Sequence, residues 1–210
     1  MAIGTRSARA EATRARIVGA AAPLFVELGY LDTTTTALAK AAGVAVQTLY
    51  LSFGSKAAVL EAVLDADAQD HRSGWRPGAA ADGPGELRSY VEATAAEVAR
   101  RHPLDAVLRA AAADPEPAEL LDRSRRAALA AHARVVDELA DRPGFTTEVS
   151  LQRATEMLDA LLSPEVYGRL VVGHGWTVPD WSDWAARHLV ADLFPAGAPG
   201  PSGAPGTLGA

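Results

Sequence analysis

Apolar residues in this chain recur three and four positions apart almost from end to end while β-branched runs are scarce, a spacing that admits helices and little else. Ile17, Ala20, Ala21, Leu24, Phe25 and Leu28 mark one face of a first helix over about 11–28, with Gly29 as its C-terminal stop. Pro23 falls inside it, and a proline there removes a backbone donor and crowds the preceding turn, which predicts a kink. The run Thr33-Thr34-Thr35-Thr36 offers hydroxyls to cap a second helix over 36–42, and Gly43 after it is free to take positive φ. A short third helix is expected over 46–52, then a longer fourth over 56–72 capped by Ser55. Residues 73–85, SGWRPGAAADGPG, read as a loop. Further helices are expected over 86–101, 104–113, 116–141, 147–162, 164–173 and 180–193, so the fold class is all-α.

Composition narrows the function. The chain has no cysteine, which excludes disulfides, thiolate zinc sites and thiol redox chemistry. No apolar run approaches the ~20 residues that span a bilayer, and the N-terminus lacks the apolar stretch of a signal peptide, so a soluble, cytoplasmic protein without membrane contact is expected. The five histidines, His71, His102, His132, His174 and His188, lie far apart with no HExxH and no nucleophile motif, and Gly173-His174-Gly175 reads as a turn. Neither an enzyme nor a metal or cofactor site is expected. Net charge is −6, yet residues 1–56 hold six cations against three anions, net +3, which leaves −9 on the remainder. A basic head on an acidic body suggests that the head alone meets nucleic acid. The last stretch, 195–210, has four prolines, five glycines and no charged side chain, and is expected to be disordered.

Two short helices joined by a glycine turn are the layout of a helix-turn-helix, whose second helix enters the major groove. Leu38-Ala39-Lys40-Ala41-Ala42-Gly43-Val44 fits it: Leu38, Ala39, Ala42, Val44 and Leu49 supply a small buried side, and Ala39 lets the helices cross closely. The whole stretch from Arg14 to Ala66 resembles the N-terminal domain of the TetR family of bacterial repressors, through Ile17, Ala21, Phe25, Gly29-Tyr30, the threonine run, Leu38-Ala39, Ala42-Gly43-Val44, Thr48-Leu49-Tyr50, Phe53 and Lys56. The resemblance implies a three-helix DNA-binding domain over 1–55 and a larger helical effector-binding and dimerisation domain over 56–194, with the helix at 56–72 connecting them. It further implies a homodimer on a near-palindromic operator of double-stranded DNA, acting as a repressor released by a small-molecule effector.

On that reading Gln47 and Thr48 are the base-reading candidates, an amide and a hydroxyl on the exposed side of the third helix. Tyr50, Lys56 and Thr36 match positions that hold the DNA backbone, the alternatives being a packed Tyr50 and a merely solvated Lys56. Arg6 and Arg9 lie in an expected unstructured arm able to enter the minor groove. Departures from the family pattern are Ala45, where a capping serine is frequent, Val46, where a polar residue is frequent, and Leu51-Ser52, where arginine or histidine is common. Val46 is the residue offered to a thymine methyl. In the body, Tyr90, Arg109, His132 and Glu156 are polar on otherwise apolar surroundings and are the effector-binding candidates. Leu158, Leu161, Val166, Leu170, Trp181 and Trp184 are the expected dimer interface, with monomer core as the alternative role.

Overall fold

The computed structural model describes residues 3–70, 75, 78 and 82–195. Its regular elements are all helical: α1 (Ile3–Asp32), α2 (Thr35–Ala41), α3 (Val46–Phe53), α4 (Lys56–Asp70), α5 (Gly83–Ala111), α6 (Pro115–Ala140), α7 (Leu151–Leu161), α8 (Pro164–Tyr167), which continues as a π-helical turn over Gly168–Gly173, and α9 (Val178–Leu193). The fold class is all-α, as the spacing requires. Among the described residues no helix is long and apolar enough to cross a membrane. The expected disorder of the tail, apart from Pro195, lies outside the described residues, as do the last two residues expected in the fourth helix.

Two expectations about the first helix are corrected. Its backbone is helical from Ile3, so Arg6 and Arg9 stand on a helix and not on an unstructured arm. Alanine and arginine are strong helix formers, and the alternation of the two around Ala8, Ala10 and Ala12 favours this state. Pro23 sits within helical backbone angles, and the one break falls at Gly29 (φ 79°, ψ 167°). A proline forfeits one backbone bond, whereas Ile17, Ala21 and Phe25, all fully buried, hold the helix down on both sides of it. Pro103 is likewise carried inside α5, which merges the two helices expected over 86–101 and 104–113.

The chain divides into two compact units, residues 1–73 with 97–128, and 74–96 with 129–210, so that α5 and α6 each contribute to both. The first unit is built on Ile17, Ala21, Phe25, Leu38, Leu49, Val59 and Leu60, and its core is continued by Val107, Leu108 and Ala111 of α5 and Leu120 of α6. The second is built on Leu87, Val91, Val136, Leu139, Leu158, Leu162, Trp181, Leu189, Leu193 and Phe194. Helix starts follow their caps: Thr34 accepts from Ala37 N at 3.0 Å, Ser55 from Ala58 N at 3.1 Å, and Thr177 with Asp180 forms a full capping box.

Candidate nucleic-acid interface and effector site

The turn between α2 and α3 is held by the bonds that end a helix on glycine. Gly43 N–H donates to Lys40 O (3.1 Å) and Val44 N–H to Ala39 O (2.9 Å), with Gly43 at φ 64°. The four threonines split their work. Thr33 is fully buried and its hydroxyl donates to Gly29 O (2.6 Å), closing α1. Thr34 caps α2, and the Thr35 hydroxyl is 3.4 Å from the Tyr50 hydroxyl. Thr36, expected to open the helix, is its second residue and is exposed.

On α3, Leu49 is fully buried and fixes which side faces in. Gln47 is exposed, Thr48 half-buried, and Tyr50 48 % exposed, so the alternative of a packed Tyr50 does not hold. Val46 is partly buried against the core of its unit, which ties up much of the side chain offered to a thymine methyl. Leu51 is 82 % exposed. Ala45, at the N-terminus of α3, makes no side-chain cap.

Two cations are spent in holding this arrangement. The Arg14 guanidinium donates to Ser52 O and lies 4.1 Å from the centre of the Phe53 ring, clamping the end of α3 to α1. Lys56 Nζ donates to Tyr30 O (2.6 Å) and lies 4.1 Å over the Tyr30 ring, so it is not a merely solvated residue. Partial burial holds its pKa below the ordinary lysine value, against the opposing fields of Asp114 and Asp32. Arg14 carries no mark in the sequence, because its partner lies 38 positions away. Arg9, Arg16 and Lys40 are exposed, and Lys40 lies four residues after Thr36 on α2.

Of the four effector candidates, the fold brings together Tyr90 and His132. The phenol oxygen is 2.8 Å from His132 Nδ1, both side chains are buried, and the rings meet edge to face. Burial pushes the His132 pKa below its ordinary value, with Asp159 opposing. Trp75 packs edge-on against Tyr90, ring centres 5.1 Å apart. Nearby in sequence, the buried Glu86 carboxylate accepts from Gly78 N (2.8 Å). Trp75 and Glu86 escaped the sequence reading because both fall in or beside a stretch read as loop. Arg109 belongs to the other compact unit. Glu156 is a correction: it is exposed on α7, accepts from Gln152 Nε2 (3.0 Å) and joins neither Tyr90 nor His132, because its helix turns Ala154, Thr155 and Leu158 inward instead. A groove of about 390 Å³ in the first unit, lined by Ala22, Pro23, Val26, Glu27, Arg100, Pro103 and Leu104, includes none of the four.

The dimer candidates also divide. Leu158 and Trp181 are fully buried within their unit, and Trp181 Nε1 donates to Leu161 O (3.2 Å), so these two are monomer core and are corrected as interface residues. Leu161, Val166, Leu170 and Trp184 keep part of their surface, beside the more exposed Val172 and Trp176.

Residues 17–63 match the family described as bacterial regulatory proteins, tetR family. No curated protein matches the chain. Solved structures do. The SmeT–triclosan complex superposes with a TM-score of 0.72 at 21 % identity, covering 95 % of this chain and 100 % of that one. A putative TetR-family transcriptional regulator from Rhodococcus sp. gives 0.69 at 20 % identity over 86 % and 98 %. The transcriptional regulator FadR from Bacillus subtilis, in complex with stearoyl-CoA, gives 0.68 at 19 % identity over 85 % and 98 %. Residues 17–63 are thus similar in sequence to bacterial regulatory proteins of the tetR family, and the chain as a whole shares the fold of these solved structures.

Proposed function

We propose that this chain is a TetR-family transcriptional regulator, a cytoplasmic homodimeric repressor which binds a near-palindromic operator and is released from it by a small-molecule effector. The observation that carries the DNA half is the outward stripe of α3, where Gln47, Thr48 and Tyr50 stand clear of the core on a helix clamped at its far end by Arg14. Gln47 and Thr48 read base edges. Tyr50, Thr36 and the exposed cations of α1 and α2 take phosphates, as does Lys56, whose ammonium has donors beyond the one given to Tyr30 O. Arg9, and Arg6 on the same helix, approach the backbone or minor groove from the first turns of α1. We assign DNA binding to residues 1–55, and effector binding and dimerisation to 56–194.

The effector half is supported by the buried Tyr90–His132 pair with Trp75 against it, a small polar contact in apolar surroundings of the type that orients a guest. Two structures of like fold hold a ligand with a large apolar part, triclosan in SmeT and stearoyl-CoA, an acyl chain on a charged coenzyme A, in FadR. An effector that favours a conformation unable to grip DNA must lower operator affinity by the same factor by which DNA lowers its own. The test is a thermal-shift screen of small molecules on the full chain, followed by gel-shift titration of the operator with each hit. Release is expected with the native chain and weakened with Tyr90→Phe. Stabilising compounds that leave DNA binding unchanged would overturn the effector reading.

A further inference from the structure

The recognition helix carries no charged residue: Val46-Gln47-Thr48-Leu49-Tyr50-Leu51-Ser52-Phe53. It therefore lacks the arginine or lysine that reads guanine most often. At 3.6 residues per turn, positions i and i+4 share a stripe, and with Leu49 pointing inward the stripe directly opposite is Gln47 and Leu51. Thr48 and Tyr50 flank it. Leu51, at 82 % exposure, is the most exposed of the large apolar side chains in the described structure, and it stands at the centre of the surface that faces DNA. The other apolar residue near this surface, Val46, is partly taken up by the core.

We propose that Leu51 is a specificity-determining residue which packs on the 5-methyl group of a thymine in the major groove. The inference rests on α3 being the DNA-reading helix and deepens that reading. An amide pairs in bidentate fashion with adenine N6 and N7, and an aliphatic side chain matches the thymine methyl, so the outer stripe as a whole selects A·T pairs. Four residues along a helix advance about 6 Å, against a rise of about 3.4 Å per base pair, which puts the Leu51 thymine about two base pairs from the Gln47 adenine. A second protein chain is the weaker occupant, since a lone leucine bordered by an amide and two hydroxyl-bearing side chains offers no apolar patch.

The experiment selects operators from randomised duplexes with the full-length protein, then replaces each preserved thymine by deoxyuridine, which removes the methyl and nothing else. The half-site is expected to be A·T at its centre, with one uracil substitution costing the native protein about 3- to 10-fold in affinity and Leu51→Ala less than twofold. A G·C centre, or a uracil penalty equal in both proteins or absent from the native one, overturns the proposal. Leu51→Gln, which keeps the reach of an exposed side chain and removes its apolar end, supplies the same comparison should Leu51→Ala fold poorly. Failure to enrich any operator would instead remove α3 as the DNA-reading helix, a result distinct from an operator that ignores uracil.

Discussion

His132 sits almost out of reach of solvent with Nδ1 2.8 Å from the Tyr90 hydroxyl, and the chemistry of that pair can be followed through pH. While the ring is neutral, Nδ1 either accepts the phenol proton or donates its own. Charging the ring costs desolvation, which is why its folded pKa lies below 6.5. A histidine depressed in the folded state binds fewer protons there than in the unfolded chain, so its contribution to stability is complete above about pH 6.5 and is lost as the pH falls below that value through the lower folded pKa. The His132 ring resonances are accordingly expected to titrate with a midpoint below 6.5, and a midpoint at or above it would contradict the burial argument. Tyr90→Phe removes the partner and leaves a buried ring nitrogen without it, a change expected to cost about 1–3 kcal/mol in the unfolding free energy measured at pH 7.5. No loss there would mean that water replaces the phenol.

At the scale of elements, α3 differs from the helices on either side of it. α2 and α4 start on hydroxyl side chains that accept the first free amides, and α3 starts on Ala45, whose backbone is extended (φ −72°, ψ 148°) as a cap requires but which has no acceptor. Ala45→Ser supplies that acceptor without moving the chain, and is expected to stabilise the protein by about 0.5–1 kcal/mol in denaturant unfolding. An unchanged midpoint would show that the α3 amides are already satisfied. The cap, the glycine turn and the buried side of α2 and α3 were legible in the sequence because each is decided within a few residues. The read-through at Pro23 and Pro103, the Arg14–Ser52 clamp, the Lys56–Tyr30 contact and the division of labour among the four threonines were not, because each depends on a neighbour that only the folded chain supplies. The same limit explains the corrected residues. Helical spacing marks Leu158 and Trp181 as apolar but cannot say which face their own unit covers, and Glu156 looked enclosed only because its neighbours are apolar.

For the molecule as a whole, the proposed dimer turns on what the second unit leaves uncovered. With Leu158 and Trp181 inside the core, the surface left by α7, α8 with its π-helical turn, and α9 offers Leu161, Val166, Leu170, Val172, Trp176 and Trp184, the two tryptophans meeting edge to face at 6.1 Å. Aromatic anchors of this type concentrate interface energy. Val172 is 63 % exposed, so Val172→Glu leaves the monomer core untouched while burying a carboxylate wherever two copies meet there. On the proposed reading one head takes one half-site, and pairing two heads about 34 Å apart makes the second contact intramolecular, a gain of about 10²- to 10⁴-fold without any new contact to DNA. Val172→Glu is therefore expected to sediment as a monomer, to bind the whole operator at least ~100-fold more weakly than the native chain, and to bind an isolated half-site as the native head does. A variant that still sediments as a dimer would move the interface to another face. A monomer that kept full affinity for the whole operator would mean that DNA, and not this surface, brings the two heads together.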